Sequence, residues 1–247
     1  MIRGERLYEG KAKILYATDD PDLVIQYFKD DATAFNAQKR GTIIGKGVVN
    51  NQISAFLFQL LAREEVPTHF VKQLSDREML VKRLQIIPLE VTIRNIVAGG
   101  MAKLLGLEEG IVLTQPVFEW HYKSDALGDP LINDDHIFAL GAARAEELQF
   151  IRSQSYRVND VLKRYFVARG IDLVDFKLEF GRFPAGSSAQ EAGRQGTILL
   201  GDEISPDTCR FWEQGTKRKL DKDRFRRDLG DVEAAYQEML NRVLAST

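Results

Sequence analysis

Cysteine is nearly absent. Cys209 is the one such residue in 247, which excludes an intrachain disulfide and a cysteine-rich metal site and suits a reducing cytosol. Histidine is scarce too. His69, His121 and His136 are dispersed without metal-ligand spacing, so a surface or core role is the simpler reading. No apolar run is long enough to span a bilayer. The opening Met1-Ile2-Arg3-Gly4-Glu5-Arg6-Leu7-Tyr8 lacks the apolar centre of a secretion signal. The expectation is a cytoplasmic protein without a membrane partner. Excess positive charge is also missing: 34 basic against 36 acidic residues leave a net −2. A dedicated nucleic-acid binder needs a basic surplus. No internal repeat is visible. The length allows one large domain or two modest ones, each with a real core.

Read in order, the chain changes texture near Leu84–Pro88. Before it, Leu7–Tyr16 reads as a strand, a glycine-permitted bend and a second strand, and Leu23–Phe28 as another. Lys29–Gly47 reads as a polar loop. Ile53, Phe56, Leu57, Leu60 and Leu61 have helical spacing over Val49–Ala62. Phe70–Leu74 and Met79–Leu84 are strands. Residues 1–84 thus predict a small antiparallel β lobe with one helix, and residues 85–247 a larger α+β lobe. The larger lobe contains a strand over Leu89–Val97, a short helix at Met101–Leu105, a strand at Phe118–Lys123 and a polar loop over Lys123–Asp135. Its long helix, Ala145–Ala168, would bury Leu148, Ile151, Val158, Val161, Leu162, Tyr165 and Phe166 and stop at Gly170. Arg182–Gly196, rich in Gly, Ser, Ala and Gln, reads as a loop tip between two hairpin strands. Asp231 is the expected cap of a final helix.

The most informative stretch is Leu173-Val174-Asp175-Phe176-Lys177-Leu178-Glu179-Phe180-Gly181. At a strand's period of two, Val174, Phe176, Leu178 and Phe180 share one face, and Asp175, Lys177 and Glu179 share the other. Across the hairpin, Glu179 and Asp202 can converge on a divalent cation, with phosphate oxygens completing the shell. Spacing leaves open a plain salt-bridged strand face. Gly10-Lys11-Ala12-Lys13 is either a phosphate cover or a lysine-protected edge strand, and it is not a Walker loop. Arg94 followed by Ala98-Gly99-Gly100 is either an anion site or a glycine turn. Arg210, Lys217, Arg218, Lys219, Lys222, Arg224, Arg226 and Arg227 could receive an anion, or form a solvated segment neutralised by Asp221, Asp223 and Asp228.

Taken together these stretches resemble one family, the SAICAR synthetases. Val174–Gly181 is similar to its most specific signature and Ile87–Gly99 to its second. Tyr8–Lys13, Lys46–Asn51, Lys123–Pro130, Gly201–Asp207 and Asp221–Arg226 also match, in family order. The resemblance implies a two-lobed, ATP-grasp- and kinase-like fold with ATP between the lobes. It implies a ligase that joins carboxyaminoimidazole ribonucleotide (CAIR) to L-aspartate, using ATP and Mg²⁺, in a homodimer. By position, Gly10, Lys11, Ala12 and Lys13 would contact ATP phosphates, and Lys82 to Leu84 would flank adenine. Glu179 and Asp202 would hold Mg²⁺, and Lys177 and Asp175 would be catalytic, Lys177 beside the transferring phosphoryl. Arg94, Gly99, Gly100 and Arg210 would hold the CAIR phosphate, with Lys123 and Asp129 also near CAIR. Lys222 and Arg226 would take the aspartate carboxylates. The chain departs from the family in two places. Gly100 stands where the family usually has serine, and Arg182–Gly196 is longer than the expected turn. Another ATP-dependent ligase or small-molecule kinase on the same scaffold, or a non-catalytic nucleotide binder, are the competing readings.

Overall fold

The computed structural model describes residues 2–34, 38–184 and 196–245. The elements run in order β1 (Arg6–Glu9), β2 (Lys13–Ala17), β3 (Leu23–Phe28), β4 (Asp31–Ala34), β5 (Lys39–Thr42), α1 (Lys46–Arg63), β6 (Phe70–Gln73), β7 (Glu78–Lys82) and β8 (Gln85–Ile96). There follow α2 (Gly99–Leu105), β9 (Val112–Tyr122), β10 (Leu131–Ile132), α3 (Asp134–Ala139), α4 (Ala145–Val167), β11 (Ile171–Phe183), β12 (Thr197–Leu200), β13 (Cys209–Glu213), α5 (Asp223–Arg226) and α6 (Val232–Leu244). This is an α+β chain with antiparallel ladders. Among the described residues no helix is long and apolar enough to cross a membrane.

Contacts divide the chain into two units, 1–87 with 179–205 and 88–178 with 206–247. The sequence reading has one junction at 84/85. In the structure the chain crosses between units three times: within β8, within β11 and after Ser205. Hydrophobic texture marks the first crossing but not the later two, because β11 is apolar on both sides of its own.

In the first unit β1-β2-β3-β7-β6 form a five-stranded sheet. Its inner residues Val24, Ile25, Phe28, Leu80 and Val81 are buried, as are Ile53, Leu57, Phe58 and Leu61 of α1. Helix α1 begins without a side-chain cap of its own, at Gly45 with φ +80°. Asp30 does the capping from a distance, accepting Gly47 N at 2.8 Å and Gly45 N at 3.3 Å while it also grips Arg77. The expected loop over Lys29–Gly47 contains the β4–β5 hairpin instead. These strands, Asp31-Ala32-Thr33-Ala34 and Lys39-Arg40-Gly41-Thr42, are short, and their apolar side chains are the buried Ala32 and Ala34, too small to give a visible hydrophobic pattern. The expected hairpin is present: Phe180–Phe183 pair with Leu200–Thr197. Its expected loop tip lies, for 185–195, outside the described residues.

In the second unit the sheet order is β10-β9-β8-β11, and β13 pairs with β11. Val174, Phe176 and Leu178 are buried, and Ile96, Ala98, Val174 and Trp212 form a core cluster. Helix α4 buries Leu148, Ile151, Val158, Val161, Leu162 and Phe166, but Tyr165 is half-buried and donates its hydroxyl to Val243 O. The polar loop expected over Lys123–Asp135 holds a 3₁₀ turn at Asp125–Leu127 and strand β10. Asp231 is not a side-chain cap. It sits at φ +47° and makes no capping hydrogen bond, so α6 starts on backbone geometry alone.

Gly181 carries a packing constraint of the first unit. A Cβ there would lie 2.7 Å from Leu84 Cβ and 3.0 Å from Gln85 O. We expect Gly181→Ala to lower stability by about 1–3 kcal/mol through overpacking, measured by chemical denaturation.

Candidate active site

The residues singled out in the sequence fall into two constellations, one per unit. In the first, the β11–β12 hairpin brings Gly201 N onto Glu179 O at 2.9 Å. The next residue, Asp202, has φ +56°, a left-handed conformation that is strained for a non-glycine residue. Gln26 Nε2 donates to its carbonyl at 3.3 Å. The Asp202 side chain meets the Lys13 ammonium in an ion pair, and Glu203 Oε1 lies 3.3 Å from the same nitrogen. Burial works against charge on Lys13, but Asp202 and Glu203 outweigh it and keep the ammonium protonated well above the usual lysine range. Gly10 N donates to Lys13 O at 2.8 Å, which closes the bend that carries Lys11 and Ala12.

Leu84 packs beside this hairpin. A Cβ on Gly201 would lie 3.1 Å from Leu84 Cδ1 and 3.5 Å from His69 Nδ1. Lys82 N donates to His69 O, and the Lys82 ammonium lies 5.4 Å from the Phe183 ring centroid. His69 is buried edge-on against Phe58. Among the described residues no group of three or more His, Cys, Asp or Glu is placed to hold a metal.

The second constellation is one face of the β9-β8-β11 sheet. Cross-strand partners share a face, and the register pairs Glu90 with His121 and Thr92 with Glu119. Arg94 gives Nε and Nη2 to Glu119 Oε2 at 2.9 and 2.8 Å. Its Nη1 reaches Asp175 Oδ2 at 2.8 Å. Arg210 places Nη1 on both Asp175 oxygens, at 3.0 and 2.8 Å, and Nε on Asp223 Oδ2 at 2.9 Å. Arg226 reaches the other Asp223 oxygen at 2.7 Å. Charges therefore alternate along Glu119, Arg94, Asp175, Arg210, Asp223 and Arg226. Lys177 pairs with Glu90.

Gly99 backs directly onto this chain of charges. It has φ +52°, and a Cβ would lie 2.6 Å from Arg210 Nη2. Gly100 differs, since a Cβ there would meet only Arg94 Nη2, at 3.8 Å. Lys123 N donates to Pro88 O at 3.1 Å, and Asp129 Oδ1 accepts from Ser124 N at 2.8 Å. Lys222 lies 3.4 Å from Asp207 Oδ2, and Tyr236 donates to the other Asp207 oxygen.

Lys11, Lys13, Lys82, Leu84, Glu179 and Asp202 thus belong to the first unit, and Arg94, Gly99, Gly100, Lys123, Asp129, Asp175, Lys177, Arg210, Lys222 and Arg226 to the second. Asp175 has both oxygens engaged by arginines and is buried. Much of the basic segment is neutralised: Arg218 pairs with Glu213 and Glu238, Arg227 pairs with Glu109, and Lys219 lies over Trp212. Sequence reasoning gave no site role to Glu90, Glu119 and Glu203, and it took Asp223 as a neutralising partner of the basic segment, which its pairs with Arg210 and Arg226 bear out. A signal existed for the first two, because Glu90, Thr92 and Arg94, and Glu119, His121 and Lys123, recur at spacing two inside apolar strands.

Comparison with known proteins agrees along the whole chain. A sequence model of the SAICAR synthetase family matches residues 6–243. The phosphoribosylaminoimidazole-succinocarboxamide synthase of Clostridium acetobutylicum is 57% identical over 243 residues, 98% of this chain and 99% of that protein. The crystal structure of the synthase from Ehrlichia chaffeensis superposes with a TM-score of 0.93 at 44% identity, covering 98% of this chain and 100% of that one. A SAICAR synthetase solved in complex with ADP gives 0.90 at 45% identity, with 98% and 99% covered. These matches make the chain a carbon–nitrogen ligase of purine biosynthesis. It belongs to the SAICAR synthetase family.

One pH effect follows from this geometry. Burial lowers the His69 pKa from the usual 6.5 to about 3. Between those values the unfolded chain binds a proton that the folded chain does not. His69 therefore contributes stability that is complete above the unfolded value and is lost as pH falls toward the folded one. One proton sets a slope of at most about 1.4 kcal/mol per pH unit. We expect His69→Phe to unfold less steeply with acid than the wild type, read as melting temperature against pH.

Proposed function

We propose that this chain joins CAIR to L-aspartate with ATP, releasing SAICAR, ADP and phosphate. The observation that carries the proposal is the second-unit face, where Arg94 and Arg210 are held from behind by Asp175 and set against Gly99 and Gly100. Two oriented guanidiniums beside free backbone suit a phosphate monoester such as that of CAIR. Asp175 on this reading is a positioning residue rather than a group that touches the reacting atoms.

The reaction needs activation of a carboxylate, whose negative charge repels an amine and whose oxide is not a leaving group. Transfer of the ATP γ-phosphoryl to a CAIR carboxylate oxygen breaks the bond to the ADP leaving group and gives an acyl phosphate. The aspartate amine then adds to the acyl carbon and loses a proton, and phosphate departs. The protein's contribution is placement and charge neutralisation. Lys11 and Lys13 serve ATP phosphates from the Gly10–Ala12 bend, and Lys82 to Leu84 flank adenine. Lys177 neutralises the transferring phosphoryl. Lys123 and Asp129 contact CAIR, and Lys222 and Arg226 take the aspartate carboxylates.

Glu179 and Asp202 suit Mg²⁺. They supply hard oxygens, and the Lys13 ammonium already drawn to Asp202 and Glu203 marks a place of strong negative potential. Two carboxylates leave most of the coordination shell to phosphate oxygens and water. Bound there, the ion would offset phosphate charge. The same reading gives a cytoplasmic homodimer, with sedimentation as its check.

ADP release is the direct test. It should require both CAIR and L-aspartate. Release with CAIR alone, giving stoichiometric phosphorylated product, would indicate a kinase instead. Glu179→Gln should keep the fold by circular dichroism and lose Mg²⁺-dependent turnover by at least about 100-fold, the scale for removing one charge-stabilising group. Near-normal turnover would remove the metal assignment.

Gly100 has room for a side chain. We expect Gly100→Ser to lower the KM for CAIR, by about 5- to 10-fold for one added hydrogen bond of about 1 kcal/mol or slightly more. An unchanged or raised KM would show that this position does not face the CAIR phosphate.

A further inference from the structure

Asp221 is fully buried, and the structure gives it something other than the neutralising part read from the sequence. Asp223 takes Arg210 and Arg226, and Asp207 takes Lys222. Among the described residues Asp221 is in no ion pair. Both of its oxygens accept backbone N–H groups instead, Oδ2 from Phe211 at 2.8 Å and Oδ1 from Asp223 at 2.7 Å. A carboxylate is costly to bury, and hydrogen bonds to each oxygen offset that cost. An asparagine could not replace it without loss, because its amide nitrogen would face an N–H group, donor against donor.

The two N–H groups lie on different elements. Phe211 is in β13, next to Arg210. Asp223 opens α5, between Lys222 and Arg226 in the chain. The flanking backbone is tied in the same sense: Leu220 N donates to Phe211 O at 2.8 Å, and Lys222 N to Pro206 O at 3.1 Å. From Asp223 the bonds go on to side chains, Arg210 Nε at 2.9 Å and Arg226 Nη1 at 2.7 Å. One carboxylate therefore sets how a cation of the strand stands to two cations of the α5 segment.

We propose that Asp221 is a positioning residue that sets the spacing between Arg210, assigned above to the CAIR phosphate, and Lys222 and Arg226, assigned to the carboxylates of aspartate. The inference rests on those assignments. Spacing matters because an acyl phosphate can meet either of two nucleophiles. The aspartate amine adds to the acyl carbon and phosphate leaves, giving SAICAR. Water adding at the same carbon also releases phosphate but regenerates the CAIR carboxylate, so ATP is hydrolysed without product. Near-attack geometry decides between them, and a displacement of about 1 Å can cost about 100-fold in rate. An α5 segment freed from β13 would shift Lys222 and Arg226 together, and the amine with them. Arg210 would move less, since Asp175 holds it separately at 3.0 and 2.8 Å.

The test reads coupling as well as rate. ADP and SAICAR are measured in the same reaction, with the KM of each substrate, for the full chain and for its Asp221→Asn and Asp221→Glu variants. Asparagine keeps the shape and loses one acceptor. Glutamate keeps both acceptors and the charge but lengthens the tie. We expect one ADP per SAICAR in the wild type and an excess of ADP in both variants. The KM for L-aspartate should rise about tenfold, the scale of one lost hydrogen bond to a charged group, and the KM for CAIR should rise less. Tyr165→Phe, which removes the bond from Tyr165 to Val243 O, is the control for instability. It should lower Tm and leave the ratio at one.

A ratio of one in folded Asp221→Asn and Asp221→Glu would overturn the proposal, as would an equal excess of ADP in Tyr165→Phe. Failure of both Asp221 variants to fold by circular dichroism would overturn it too, by making Asp221 a residue of the fold alone. Two results would instead overturn the assignments beneath it. One is wild-type ADP release that needs no L-aspartate. The other is a Lys222→Gln variant with an unchanged KM for L-aspartate.

Discussion

Everything in the second unit's polar face depends on one buried carboxylate. Asp175 receives Arg94 from β8 on one side and Arg210 from β13 on the other, in the middle of the sheet. Moving three charges out of water is expensive, and their attraction offsets that only when each hydrogen-bonding group is satisfied. Here the satisfaction extends outward, since Glu119 neutralises Arg94 and Asp223 neutralises Arg210. Removing Asp175 would leave two guanidiniums facing each other in a buried place, a loss of about 3–5 kcal/mol for a broken buried pair. The arrangement also fixes the orientation of both guanidiniums.

The first unit uses the same device with the signs exchanged. There a lysine is the hub, and Asp202 and Glu203 are arranged around it. The hub is supported by backbone: the β11–β12 ladder sets Gly201 on Glu179, and a left-handed Asp202 turns the chain toward Lys13. In both units the charged groups are spaced by strand geometry and held by ion pairs.

Much of this was legible in advance because strand periodicity is a local property. The alternation in Val174–Phe180 separated Asp175, Lys177 and Glu179 from the apolar face, and the strand that leads into Asp202 was recognisable as the hairpin partner, although it ends at Leu200. Glu90 and Glu119 alternate in the same way and were passed over, since a lone acid in a strand is usually solvated. Three features had no local signal. The β4–β5 hairpin carries no apolar side chain larger than alanine. Helix α1 is capped by Asp30, fifteen residues before Gly45. Asp231 looks like a cap and is not one: its backbone is left-handed and its side chain makes no capping hydrogen bond.

The sequence by itself determined the α+β class, the long helix, the two charged strand faces and the likeness to a family of ligases, because each is written in short-range spacing or in contiguous motifs. Tertiary structure alone decided which charges meet. That Lys13 belongs with Asp202 and Glu203, that Arg94 and Arg210 share Asp175, and that Gly99 must be glycine because Arg210 lies behind it are facts about residues tens to nearly two hundred positions apart. The physical reason is that a side chain's partner is set by strand register and sheet order, and neither is encoded where the side chain itself is written.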